Sequence, residues 1–228
     1  MSQSRTHRVH GSLHVQSVTE PMFQENAYLL WRDGAADCWL IDPGFPPSPH
    51  SLARHVEQQR LTPVLILLTH GHPDHIAGVT PLRERFEALP IAAPIDERDM
   101  LTDPQLNLSA AMQFPVTAPP ADRLIAPGDE LSLGDLMFVA LDVAGHSPGG
   151  LAYYCRAAGT VISGDALFAG SIGRYDFPGS SRQRLLANIQ AHLLTLPDET
   201  VLYSGHGPPS TIGYERRNNA VLLAELDG

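Results

Sequence analysis

Four side chains able to bind a cation stand within six residues, in the run Thr69-His70-Gly71-His72-Pro73-Asp74-His75. His70 and His72 can converge on one ion if the end of a strand bends there into a loop. Gly71 is expected to permit the bend and Pro73 to set the next turn. Asp74 and His75 then face a second position from the start of a short helix. Imidazole and carboxylate suit zinc, iron or manganese, and no thiolate is needed. With the His and Asp content of this chain, His-x-His-x-Asp-His would arise by chance about twice in a thousand such sequences, so coincidence is a weak explanation. A purely structural site is the stronger rival. Such sites are usually closed, tetrahedral and Cys-rich, whereas this loop crowds four ligands together and leaves others downstream.

Three more candidates share one local pattern, an apolar run meeting a Gly-rich turn: His146 in Val143-Ala144-Gly145-His146, Asp165 in Ser163-Gly164-Asp165, and His206 in Ser204-Gly205-His206-Gly207. Loops at strand ends are where functional side chains gather. Any one alone reads as a turn or surface residue, but together with the first run they form a site.

In this order, the His-x-His-x-Asp-His segment followed by His146, Asp165 and His206 resembles the metallo-β-lactamase superfamily over nearly the whole chain. The string Gly170-Ser171-Ile172-Gly173-Arg174-Tyr175-Asp176-Phe177-Pro178 resembles its glyoxalase II-like (hydroxyacylglutathione hydrolase-like) branch, especially the short bacterial members. The resemblance implies an α/β fold, an αβ/βα four-layer sandwich with metals at one edge. It implies two divalent metal ions, zinc first and iron or manganese next. His70, His72 and His146 would hold the first, Asp74, His75 and His206 the second, and Asp165 would bridge them. A water shared by two hard cations loses its proton easily and can attack a carbonyl carbon, with Asp74 orienting it and Asp165 completing the catalytic pair. The expected substrate is a small-molecule acyl thioester such as S-lactoylglutathione.

Departures from related patterns narrow this reading. A flavodiiron reductase would carry Glu at His72, and common β-lactamases Cys or Ser at Asp165. A lactonase or other ester hydrolase shares all seven ligands. Persulfide dioxygenases share a Gly-Arg-x-Asp-Phe string and hold one iron through counterparts of His70, His146 and Asp165, but usually carry Cys and Gln where this chain has Ile172 and Pro178.

Substrate contacts are less clearly marked. Arg174 stands where the family has Lys and is the candidate for a carrier carboxylate, while Asp176, in place of Tyr, opposes one unless the two pair with each other. Asn107 and Ser109 are placed at the cleft. The 22 residues after His206 allow one helix rather than the basic extension of full-length glyoxalase II, so glutathione recognition is expected to be weak.

The elements that must position these residues follow from periodicity. Strands are expected at 13–18, 28–31, 38–41, 63–69, 130–133, 136–143, 151–155, 160–163 and 200–203. Helices are expected at 48–59, with Ser48 as N-cap and Pro49 first, and at 80–88, 181–194 and 214–226. The Pro-rich middle, 94–127, reads as loops with short helices. The 228 residues show no convincing linker, so one domain over 1–228 is expected.

Composition limits the partners. The net charge is −10 and all 15 basic residues are Arg, which disfavours nucleic acid and anionic membrane surfaces. Residues 1–11 are polar, lack the apolar core of a secretory signal, and together with His14 read as a mobile or surface segment. The expected location is cytoplasmic. Cys38 and Cys155 sit in apolar runs and read as reduced core thiols.

Overall fold

Strand alternation that is apolar on both faces requires a cover on each side, and this chain supplies it with two sheets and two sets of helices. The computed structural model describes residues 3–227. The first sheet has seven strands in chain order: β1 (Gln3–His10), β2 (Leu13–Thr19), β3 (Asn26–Arg32), β4 (Asp37–Ile41), β5 (Thr62–Leu67), β6 (Ile91–Pro94) and β7 (Arg123–Ile125). It is antiparallel from β1 to β4 and parallel from β4 to β7. The second sheet uses β8 (Glu130–Leu133), β9 (Leu136–Asp142), β10 (Leu151–Cys155), β11 (Thr160–Gly164), β14 (Val201–Ser204) and β15 (Ser210–Thr211), ordered β15-β14-β11-β10-β9-β8. A hairpin of β12 (Leu167–Phe168) and β13 (Ser171–Ile172) stands apart.

Between the sheets lies one apolar layer, with Tyr28, Leu30, Trp39 and Leu67 facing Phe138, Tyr153, Ile162 and Tyr203. The alternate residues Leu29, Trp31, Leu40 and Ile66 point the other way, under α1 (Ser48–Gln59) and α3 (Val79–Arg85). On the far side, Ala152, Tyr154, Val161 and Leu202 pack beneath α4 (Arg182–Asn188) and its π-turn extension Ile189–Leu193. The result is the four-layer αβ/βα sandwich expected from the resemblance. Cys38 and Cys155 are buried, unpaired thiols, and burial pushes the Cys38 pKa up to about 12. Among the described residues no helix is long and apolar enough to cross a membrane.

Several local expectations are corrected. Residues 3–10 form a strand paired along β2 rather than a loose segment. His10 Nε2 lies 2.7 Å from the core Tyr203 hydroxyl, and His14 stacks on Trp31. Only the backbone of His7 is described, and residues 1, 2 and 228 lie outside the described set. Pro47, not Ser48, caps α1, and the buried Ser48 hydroxyl makes no hydrogen bond. The Pro-rich middle carries a short helix as expected, the 3-10 segment Ile95–Leu101, but also the strand β7. The closing helix is two, α5 (Ile212–Asn218) and α6 (Ala220–Asp227). They part at buried Asn219, whose Nδ2 donates to Phe168 O and Ser171 O and whose Oδ1 accepts from Leu222 N.

The sheets are joined beside the first ligand loop. Tyr153 Oη donates to Leu68 O at 2.7 Å, and Leu151 N donates to Thr69 O at 2.9 Å. Tyr153→Phe leaves the buried Leu68 carbonyl without its side-chain donor and is expected to cost about 1–3 kcal/mol. Urea unfolding measures this, and an unchanged midpoint would show that the bond adds nothing net.

Candidate metal centre

The functional edge is set by strand direction. β4, β5 and β6 run parallel in one sheet. β9 and β11 are both antiparallel to β10, and β14 is parallel to β11. The carboxyl ends of these strands therefore release Asp42, the 70–75 run, His146, Asp165 and His206 at one edge. Backbone bonds hold the loops together, with Asn26 N donating to Gly205 O at 2.7 Å and Gly205 N to Gly164 O at 2.9 Å. α2 (Pro73–Ile76) presents Asp74 and His75 from its first turn.

All seven candidate ligands meet. One candidate atom from each of His70, His72 and His146 lies within 4.8 Å of the others, and the same holds for Asp74, His75 and His206. Asp165 touches both sets: Oδ2 lies 3.6 Å from His146 Nε2 and 3.3 Å from His206 Nε2, and Oδ1 lies 3.4 Å from His75 Nε2. His70 Nε2, His75 Nε2 and Asp165 Oδ1 are buried yet make no hydrogen bond. Buried polar atoms are nearly always partnered, and an ion is one of the few explanations for three exceptions at one point. The donor set therefore fits two cations.

The surrounding bonds select the free lone pairs. Asp42 Oδ2 accepts from Thr69 Oγ1 at 2.6 Å, so that hydroxyl can accept from His70 Nδ1 at 3.1 Å and leave Nε2 bare. His75 Nδ1 donates to Asp42 Oδ2 at 3.1 Å, and His146 Nδ1 donates to Arg174 O at 2.8 Å. Such partners fix tautomer and ring orientation. Asp42 also lies within ligand distance of His70 and His75, but with Thr69 N on its other oxygen it is occupied as an orienter rather than a ligand.

Electrostatics divide the two sets. Burial, then neighbouring imidazoles, lowers His70 well below the usual range and His72 to about 3. Both are neutral at pH 7 and ready to bind metal. Burial also opposes charge on His75 and His206, but Asp165 and Asp74 outweigh it, raising His75 and lifting His206 to about 10. In return, His75 and His206 hold Asp74 and Asp165 below the usual carboxylate range although burial alone would raise both.

Two glycines matter for space. A Cβ on Gly205 would stand 2.0 Å from Asp165 Oδ1 and 2.7 Å from His75 Cε1, so only Gly leaves the centre open. Gly71 was expected to permit a bend, but it has no left-handed backbone. Its Cβ would meet Met100 Cβ at 2.7 Å, and the requirement is close packing.

The substrate-side expectations fare differently. Asn107 and Ser109 are fully buried and do not line the cleft. Asn107 Nδ2 donates to Met100 O and Val116 O, and Ser109 Oγ accepts from Val116 N. Their polar ends are consumed by backbone groups, and Leu108 between them faces the cavity instead. Arg174 does reach the rim, but Nε and Nη2 each bind Asp176 at 2.9 Å and its guanidinium lies 4.2 Å over the Phe177 ring.

Sequence reasoning missed two residues here. Asp42 has the same signature as the ligands, a carboxylate ending an apolar run before Pro43-Gly44. Glu97 has no such signal. It is fully buried in the 3-10 segment, where Gly71 N and, at 2.8 Å, Gly149 N donate to it along with the Ser147 hydroxyl. One carboxylate thus ties the 70–75 loop to the 145–150 loop. Glu97→Gln places an amide N–H where only acceptors fit and is expected to weaken metal affinity about 10- to 100-fold. Competition with a chromophoric chelator measures this, and wild-type affinity would remove Glu97 from the site's support.

Comparison with known proteins agrees with this geometry. The family model described as the metallo-beta-lactamase superfamily matches residues 21–206. The probable metallo-hydrolase YqgX of Bacillus subtilis is 41% identical over 200 residues, covering 87% of this chain and 92% of that protein. The hydroxyacylglutathione hydrolase GloC of Haemophilus influenzae is 31% identical, covering 92% and 98%. The crystal structure of the BLEG-1 B3 metallo-beta-lactamase superposes with a TM-score of 0.85 at 38% identity, covering 90% of this chain and 98% of that one. TTHA1623 in a di-iron-bound form has a TM-score of 0.76, also at 38% identity and the same coverage. With its ligand loops assembled at the edge of an αβ/βα sandwich, this chain belongs to the metallo-β-lactamase superfamily.

Proposed function

We propose that this metal-dependent hydrolase is dinuclear and cleaves an acyl thioester or related ester at its carbonyl. The observation that carries the reading is the pair of ligand sets joined by Asp165, with three buried ligand atoms lacking any other partner. Zinc suits the set, and iron is supported by the di-iron form of TTHA1623. Two divalent cations would supply Lewis acidity at the carbonyl oxygen and a water ionised near neutral pH.

The chain's own groups do the rest. Asp74 is the more exposed of the two catalytic carboxylates, at 17% against 8% for Asp165. It faces the cavity and can orient the attacking water and hold its proton. Asp165 lies deeper and keeps the two ligand sets at a fixed spacing. Phe168 and Phe177 stand edge-on to His206 and His72 and line the cavity above them. A thiolate leaves without protonation, which suits a site with no strong acid over the leaving group.

Thioester cleavage is favoured by the likeness to GloC. β-Lactam cleavage, suggested by BLEG-1, is less well served, because Arg174, the one Arg on the cavity, is already engaged by Asp176 and poorly placed to take a drug's carboxylate. A mononuclear iron dioxygenase would need only His70, His146 and Asp165, leaving the convergence of Asp74, His75 and His206 without a use.

Metal content tests the assignment. His206→Ala is expected to lower stoichiometry from two ions towards one and to reduce hydrolysis strongly. Asp165→Asn is expected to lose more metal than Asp74→Asn, since a neutral amide is a poor bridge between cations. Elemental analysis decides both, and full content in His206→Ala, or greater loss in Asp74→Asn, would refute the bridged pair.

The sets should also differ in protons. In metal-free protein His75 and His206 are raised, so at pH 7 they carry protons that a metal must displace, whereas His70 and His72 are already neutral. Affinity of the Asp74–His75–His206 set should therefore climb as pH rises towards about 10, the His206 value. Calorimetric zinc titration in buffers of different ionisation enthalpy should show release on binding to that set and little from His70 and His72. Equal release for both ions would contradict it.

A further inference from the structure

We infer that the acyl group this site selects is apolar, an aliphatic or aromatic chain joined directly to the scissile carbonyl, and that Phe23, Leu108, Met112, Phe168 and Phe177 form its seat. The inference rests on the hydrolase reading for the bond cleaved, but not for the seat itself. The cavity above the ligands holds about 410 Å³, room for a small organic group. Beyond the ligand residues and Pro73, its walls are those five apolar side chains and Arg174. Arg174 is bound in bidentate fashion by Asp176 and laid over Phe177, so an anionic carrier must first break a formed pair and then face the released Asp176.

The wall is braced from behind, which separates it from a chance apolar surface. Glu20 is fully buried and accepts hydrogen bonds from Met22 N and Phe23 N, fixing the turn that carries Phe23. Asn107 and Ser109 hold the backbone on either side of Leu108, which itself sits at a φ of 72°. Asn219 and Glu215 secure the hairpin bearing Phe168 through its carbonyls and Gly170 N. Outside the cavity the apolar character continues, as Phe23 stacks on Phe45 and Phe45 meets the half-exposed Phe114. Pre-organised apolar surface of this kind binds a chain at little ordering cost, and each buried methylene adds to affinity.

Straight-chain carboxylates from acetate to octanoate, products of the proposed cleavage, serve as probes of the metal-loaded protein. Calorimetry is expected to show affinity rising about two- to fourfold per methylene until the seat is filled. Met112→Asp, a partly exposed position, should flatten that slope, as should Phe23→Ser, with thermal unfolding confirming that each variant is folded. Turnover of the matching acyl thioesters, read alongside S-lactoylglutathione, should follow the same order in kcat/KM. Affinity independent of chain length, or a slope kept in both folded variants, would overturn the apolar seat while leaving hydrolysis intact. A slope without turnover of any thioester would support the seat and overturn thioester cleavage instead.

Discussion

Five imidazoles and two carboxylates converge at one edge of this fold, most of them buried, and their crowding and unmet hydrogen bonds call for positive charge. Part of the answer is visible without a metal: Asp165 and Asp74 draw protons onto His75 and His206 and are themselves held ionised. Protons cannot answer all of it, because burial keeps His70 and His72 neutral and three ligand atoms stay unpartnered. Two cations would satisfy these groups at once. The rest of the molecule follows from having to hold so unfavourable a collection together.

The load falls on buried polar residues that occupy no ligand position in the sequence pattern. Asp42 ties the end of β4 to Thr69 and His75 and so selects which nitrogen each ring presents. Glu97 joins the two loops that supply the first ligand set. Tyr153 crosses between the sheets just before His70. Each bond sits in low dielectric, where a satisfied network is stiff and a broken one costly. Rigid sheets therefore carry a site whose candidate ligands lie on loops and on the first turn of α2, and these keep the precision of the strands beneath them.

Above the ligands the chemistry changes character. The floor is charged and polar, while the walls are aromatic and aliphatic. Under the proposed function that division would separate tasks: the floor would act on the carbonyl and the walls would discriminate by what is attached to it.

The candidate metal ligands were legible because their spacing is local and their residue types are rare. Four lie in one six-residue run, and the other three repeat an apolar run ending in a Gly-rich turn. Most strands were legible for the same reason, since strand periodicity is a short-range signal, whereas their four-layer arrangement was implied by the family resemblance. Asp42 was within reach of that reasoning, as it ends a strand in the same manner. Glu97, by contrast, is an isolated carboxylate in a Pro-rich stretch. Only its tertiary placement, between Gly71 and Gly149, gives it a role. Asn107 and Ser109 show the opposite error: polar residues near a cleft suggested substrate contact, but three-dimensional packing turned them inward to backbone carbonyls and put Leu108 into the cavity. Arg174, the candidate for a carrier carboxylate, does line the cavity, yet whether it was free or paired with Asp176 depended on rotamers. Ligand identity is thus written in the chain's local order. The walls, the braces and the state of each charge arise from contacts between residues far apart in sequence, which no local pattern encodes.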